Sequence, residues 1–324
     1  MFVTLAVALA LAVLFLLACS GFLLALPGWW LLRHSNLSLP ARRRASLLFA
    51  LRMAPLLLAA VFTVGFVLPA FVRFEPRSTT EDLNPGLLGL AACGLIVVTM
   101  ISVRFVRMAA ATRRLRRHWL GSARRLHHVE GITLPVYSVD APSGLLAVTG
   151  IFRPQIFVAR RFVESLSPQE LEAALAHEVA HVSAFDNLRQ ALLRITRPPF
   201  WRGDTAWTSA SEIAADEAAL LSGASVLDLS AALVKAGRLG GHPALNGNAA
   251  VSCLLPSSSR ADSSVHARVR HLELLLSGTA ALPAPGQPRR FLPLLALLLG
   301  LGIYAACFQV LLPWVHDALE FLVH

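Results

Sequence analysis

The sequence predicts an α-helical multi-pass membrane protein whose four transmembrane helices are interrupted by one inserted, mainly α, α+β domain. Three observations predict it. The 324 residues are 56% hydrophobic and only 15% charged, with a mean hydropathy of +0.62, whereas soluble domains carry about a quarter charged residues. Four apolar runs approach the ~20 residues that a helix needs to cross a hydrocarbon core. The charge is lopsided: the formal net charge is +10, and all but Lys235 of the 29 basic residues are arginine, gathered beside some apolar runs and absent from others.

The first span is placed at 1–26, the second at 53–72, the third at 87–106 and the fourth at 291–315. The third is the shortest and reaches its length only by running past Arg104 to Phe105 and Val106; a buried core helix is its rival reading. Pro55, Pro69, Pro293 and Pro313 lie near span ends, where a missing backbone donor does least harm. Leu17-Ala18-Cys19 faintly suggests a lipoprotein cleavage site. A cleaved signal would carry a basic leader and a shorter apolar stretch, so the first run is taken as an uncleaved anchor.

Arginine sets the expected orientation. Residues 27–52 carry Arg33, Arg42, Arg43, Arg44 and Arg52 and no acid, which makes them a basic cytoplasmic loop. Arg104, Arg107, Arg113, Arg114, Arg116, Arg117, Arg124 and Arg125 follow the third run, and Arg289 and Arg290 precede the fourth. The 73–86 stretch has two arginines against Glu75, Glu81 and Asp82 and is expected as a short external loop. Both termini, including the 316–324 tail, are therefore expected outside, with 107–290 in the cytoplasm at a bacterial-type inner membrane. Cys19, Cys93, Cys253 and Cys307 form no C-x-x-C pair, which argues against a disulfide framework or a cysteine metal site. The arginines sit beside apolar runs and no nucleic-acid fold signature appears, so a lipid bilayer and not nucleic acid is the expected partner.

The 107–290 insertion is long enough for one core. An arginine-rich helix over 109–128 is expected to leave the membrane, touching lipid headgroups. Short apolar runs at 144–149 and 155–159 suggest strands. Ser167-Pro168-Gln169-Glu170 then announces a helix, with a capping box and proline at its first position. A second helical stretch covers 210–222, and 266–276 reads as helical again. The Gly-, Pro-, Ser- and Asn-rich 240–264 segment reads as a mobile loop, and 282–288 as a Pro-rich linker.

Residues 177–181 read His-Glu-Val-Ala-His. Positions four apart lie on one helix face, so His177 and His181 can aim imidazoles at a single ion, with Glu178 beside it. This is the H-E-x-x-H arrangement of zinc proteases. Two neutral imidazoles and one carboxylate leave a zinc ion positively charged and open to water, whose proton Glu178 can take. The third ligand is expected from Ser211-Glu212-Ile213-Ala214-Ala215-Asp216-Glu217. Glu212 and Asp216 are again four apart, so Glu212 can bind the ion while Asp216 orients a ligand histidine; Glu217 is the adjacent competitor. An unligated, solvated helix face is the bland alternative.

Phe152-Arg153-Pro154-Gln155-Ile156-Phe157-Val158, the Ser167–Glu170 start, His177–His181, Asp186, Asn187, Glu212 and Asp216 together resemble the BlaR/MecR-type membrane metallopeptidases. More weakly they resemble HtpX-like and CAAX prenyl-protease-like membrane metallopeptidases. The likeness is firm over 144–219 and looser over the four-span layout. It implies a zincin-like domain with one Zn2+ at His177, His181 and Glu212, Glu178 catalytic and Asp216 supporting. It further implies that Leu145, Leu146, Ala147, Val148 and Thr149 form an edge strand along which a substrate lies extended, and that Arg268 supports the site. Ala215 stands where antibiotic-sensing members often have cysteine. Only 316–324 follow the fourth span, so a sensor domain is not expected and a separate sensor or regulator is.

The expected function is therefore zinc-dependent hydrolysis of peptide bonds in a cytoplasmic or membrane-proximal protein, in regulatory or signalling proteolysis. A non-catalytic signalling or scaffold protein with a structural metal is the alternative, and the intact Glu178 argues against it. A transporter finds little support, because no acidic residue lies within any span.

Overall fold

A computed structural model of the chain describes residues 2–34, 39–76, 84–126, 132–140, 145–198, 204–239, 251–253, 261–279, 281–282 and 292–323. The chain divides into two compact units, one of Met1–Asn36, Ala50–Ile101 and Gly286–His324, the other of Leu37–Phe49 and Ser102–Pro285.

Three helical stretches among the described residues are long and apolar enough to cross a membrane: Phe2–His34, Ala41–Phe74 and Pro85–Ser122. The first is α1. The second is built of α2 (Ala41–Phe62), one π turn (Thr63–Val67) and α3 (Leu68–Phe74), and the third is α4. A further 32-residue helix closes the chain; in chain order it is α11 (Leu292–Val323), and it contains the described part of the expected fourth span. In the first unit Leu5, Ala8, Leu9, Ala12 and Val13 form one stripe of α1 and pack with Val67, Ala70, Phe71, Leu87, Ala91, Leu312 and Leu319. A side chain at Gly94 would collide with the carbonyl of Leu11, so glycine there permits a close backbone approach. Leu24, Val64, Val3 and Leu58 face outward, an apolar surface of the kind a membrane-crossing helix presents.

The helices overrun the expected boundaries. Much of the 27–52 loop is helical: α1 continues through Pro27 and Gly28 to His34, and α2 starts at Ala41 in a stretch rich in the strong helix formers Ala, Leu and Arg. The arginine-rich helix expected over 109–128 is not separate: α4 runs unbroken to Ser122 and gives way to strand β1 at Arg124–Arg125. That continuity carries Trp119 onto the sheet, where its ring lies 5.2 Å from Phe157.

The second unit contains a five-stranded sheet of β1, β2 (Val136–Val139), β3 (Leu146–Thr149), β4 (Gln155–Ala159) and β5 (Val251–Cys253), in the order β1-β2-β4-β3-β5. β2 and β4 are parallel and the other neighbours antiparallel, with Leu146 opposite Val158 and Thr149 opposite Gln155. Leu146, Ala147, Val148, Ile156, Phe157, Val158 and Ala159 are all fully buried, so these strands read as continuous apolar runs instead of alternating ones. Helices α5 (Arg160–Ser165), α6 (Pro168–Ser183), α7 (Asp186–Ile195), α8 (Asp204–Leu221), α9 (Val226–Arg238) and α10 (Ala261–Leu276) complete the unit, with Ala173, Leu175, Ala219, Leu229, Leu233 and Leu272 joining the strands in one core.

Two expectations are corrected here. β3 is not an edge strand: Ala147, Val148 and Thr149 pair with Cys253, Ser252 and Val251 of β5. For the same reason 240–264 is not wholly loop. It holds β5 and the start of α10, while 240–250 and 254–260 lie outside the described residues, as do 283–288 of the expected linker.

Candidate metal centre

The site is built on α6, α8 and α10. Ser167 accepts from the Glu170 backbone N–H at 3.1 Å while Glu170 accepts from the Ser167 N–H at 2.7 Å, so the capping box fixes where α6 begins. Lys235 on α9 donates to both Glu170 oxygens at 2.8 and 2.6 Å. This contact, ahead of the Ser167 bond, holds the Glu170 carboxyl below its ordinary range. With its start fixed, α6 places His177, Glu178 and His181 in the interior, each at most 2% exposed.

The two imidazoles approach each other edge to face, with Nε2 atoms 3.1 Å apart. Glu212 from α8 closes the triangle, with Oε2 3.5 Å from His177 Nε2 and Oε1 3.6 Å from His181 Nε2. Each histidine gives its other nitrogen to a carboxylate: His177 Nδ1 lies 2.8 Å from Asp216, and His181 Nδ1 lies 2.8 Å from Asp186. Donation through Nδ1–H leaves each Nε2 with a lone pair, and both lone pairs converge with Glu212 on one point.

That triangle fits a tetrahedral cation. Ligand atoms 2.0–2.1 Å from zinc lie about 3.3–3.4 Å from one another in a tetrahedral shell, close to the observed edges of 3.1, 3.5 and 3.6 Å. Two nitrogen lone pairs and a carboxylate facing each other repel unless a cation separates them. Histidine, histidine and glutamate are a donor set that suits zinc.

Arg268, only 1% exposed, reaches into this acidic interior from α10. It donates through Nε and Nη2 to Asp216 at 2.7 and 2.6 Å, and through Nη1 to Glu212 at 2.9 Å. Burial alone would raise the Asp216 and Glu212 carboxyls, but Arg268 first, then His177 at Asp216 and both histidines at Glu212, hold them below the carboxylate range. Glu178 behaves oppositely: burial pushes its carboxyl up to about 7, with His177 and His181 pulling it partly back. Neither Glu178 oxygen has a hydrogen-bond partner among the described residues.

The structure thus brings His177, Glu178, His181, Glu212, Asp216 and Arg268 together. Glu217 lies elsewhere, its carboxylate 3.2 Å from His271 Nε2. The role of Asp186 was not read from the residues. It depends on Phe185, whose left-handed backbone (φ 56°) turns the chain sharply between α6 and α7 and returns Asp186 to His181. A non-glycine residue rarely adopts this conformation, so helical spacing gives no signal for the contact of Asp186 with His181, although Asp186 is among the residues that carry the family resemblance.

Residues 127–240 match the model of Peptidase family M48. The matched segment contains both histidines, Glu178, Glu212 and Asp216 and ends before Arg268. No curated protein matches the chain. The family match supports a metallopeptidase with a peptide or protein substrate, and the His177, His181 and Glu212 cluster is compatible with one. Three helical stretches long and apolar enough to cross a membrane suggest a membrane protein.

Proposed function

We propose that this chain is a membrane-embedded zinc-dependent endopeptidase that cuts a cytoplasmic or membrane-proximal protein in regulatory or signalling proteolysis. The observation that carries this reading is the buried triangle of His177, His181 and Glu212 atoms, with edges suited to zinc, beside a Glu178 carboxylate that accepts no hydrogen bond from any described residue. A structural metal would leave that buried carboxylate without a use and with a desolvation cost.

His177, His181 and Glu212 would hold the ion, which supplies a Lewis acid for the scissile carbonyl and lowers the pKa of water. Asp186 and Asp216 keep the imidazoles in the tautomer that offers Nε2. Arg268 offsets the charge of Glu212 and Asp216, so two acids remain ionised in a buried site. Glu178, with its carboxyl near 7 before a cation lowers it further, is suited to take a proton from the attacking water and return it to the leaving amine. The finer likeness to BlaR/MecR-type enzymes, and a separate sensor or regulator as partner, belong to this proposal.

Its topology places α11 as the fourth span, both termini outside and the second unit in the cytoplasm of a bacterial-type inner membrane, following the arginine bias. A reporter fused after Val315 reads outside if this is right; a cytoplasmic signal refutes it. For the chemistry, zinc content and proteolysis are compared in wild type, Glu178→Ala and Glu212→Ala. Glu178→Ala keeps its zinc and loses cleavage, whereas Glu212→Ala loses both. Undiminished cleavage by Glu178→Ala removes the proposed mechanism.

A further inference from the structure

The turn joining β3 to β4 displays an aromatic ring for which the fold has no use. Phe152 is 92% exposed, more than any other large hydrophobic residue among those described. The turn that carries it is firmly built. Gly150 has φ +96°, and a Cβ there would lie 2.6 Å from the Arg153 carbonyl oxygen, so only glycine lets the turn close. Asn187 Nδ2 donates to the Gly150 carbonyl at 3.2 Å and approaches that of Val148 at 3.4 Å. Ile151, one residue before the exposed ring, packs with Met108 of α4 and with Ala191 and Ile195 of α7. The ring is thus held out on a rigid support.

That support is the part of α4 just beyond its apolar run. Met108 follows Phe105 and Val106, both exposed. Arg104, on the same turns of α4, donates to the carbonyls of Ile195 and Arg197 at the end of α7. The segments that form the turn and its support are basic in sequence. Arg104, Arg107, Arg153 and Arg197 come from segments 83–129, 151–163 and 187–203, none of which contains Asp or Glu. An exposed aromatic ring on segments that carry arginine and no acid is the composition of a surface that meets anionic lipid.

We propose that this turn is a membrane-docking tip: Phe152 inserts into the headgroup–acyl boundary while Arg153, the arginines of α4 and Arg197 just after α7 contact anionic lipid phosphates. The inference rests on the membrane reading of α4 and is independent of peptidase chemistry.

The test uses the full chain with a benzophenone amino acid at position 152, reconstituted in nanodiscs of phosphatidylcholine with phosphatidylglycerol. After illumination, adducts are identified by mass. Asp140 supplies the control position: β2 runs parallel to β4, with Val139 opposite Ala159, so Asp140 is exposed at the other end of the sheet. Position 152 is expected to yield phospholipid adducts severalfold above position 140. Arg153→Glu is expected to cut the yield severalfold in phosphatidylglycerol discs and much less in pure phosphatidylcholine. Lipid adducts no more abundant at 152 than at 140 overturn the proposal, and so do adducts confined to a second copy of the chain or to an added peptide. A Glu178→Ala chain gives the same adducts, so a failure of the peptidase reading leaves this result standing.

Discussion

His177 and His181 present equivalent nitrogens to one point, yet the two flanks that hold them are built differently. Behind His177, Asp216 is wholly buried and receives two bonds from Arg268, a residue 52 positions further along the chain on another helix. Behind His181, Asp186 comes from the turn directly after α6, and its own cationic neighbour, Arg189, is 3.7 Å away and 28% exposed. The first flank is a long-range network buried throughout; the second is local, with Asp186 buried but its cation partly exposed. Charge–charge contacts strengthen as water leaves, and each buried partner becomes harder to remove. The same hydrogen bond of 2.8 Å at each imidazole therefore rests on unequal foundations.

The largest expected effect comes from the strong flank. Arg268→Ala leaves Glu212 and Asp216 as buried acids without their cation, and breaking such a pair costs about 3–5 kcal/mol. For a unit of this size that lowers the apparent melting temperature by on the order of 10 °C, measured on the detergent-solubilised full chain. Arg268→Lys restores only part of this, because an ammonium cannot span both carboxylates as the guanidinium fork does. A shift too small to detect in Arg268→Ala would mean that the two acids find solvent or a proton, and that the flank is not desolvated as described.

The carboxylates themselves give the intermediate effect. Removing an outer partner of a metal-bound histidine typically costs 10–100-fold in metal affinity. Asp216→Asn is expected near the upper end, at about a hundredfold, since it also strands Arg268. Asp186→Asn is expected near about tenfold, since the asparagine carbonyl can still accept from His181 Nδ1. Competition with a zinc chelator measures both. Equal losses would erase the contrast between the flanks, and a larger loss at Asp186 would invert it.

The strong flank was also the more legible one. Helical pitch alone put His177 with His181 and Glu212 with Asp216, because each pair is four apart. The choice between Glu212 and Glu217 follows from rotation: positions five apart are displaced by about 500°, not by a near-whole number of turns, so Glu217 faces His271 instead. Ser167 and Glu170 announced the start of α6, and 155–159 was read with the bounds that β4 has. Other features depend on contacts that no local pattern encodes. β5 lies in a stretch rich in turn formers and becomes a strand by pairing with β3. That pairing also covered the side of β3 expected to stay open. Asp186 reaches His181 only through the unusual backbone of Phe185.

The smallest effect tests how far the weak flank extends. Arg189 sits 3.7 Å from Asp186 and holds its guanidinium 5.7 Å from the Phe49 ring centroid. At that distance and exposure a pair contributes at most about 1 kcal/mol, with a similar ceiling for an exposed cation–π contact. Arg189→Ala should therefore lower the apparent melting temperature by no more than about 2–4 °C and leave zinc affinity unchanged. Asp186 already has its partner in His181, and losing a distant, solvent-screened cation does not move that hydrogen bond. If Arg189→Ala instead releases zinc as readily as Asp186→Asn, the guanidinium is setting the position of the carboxylate. His181 would then be held through two linked side chains, as His177 is.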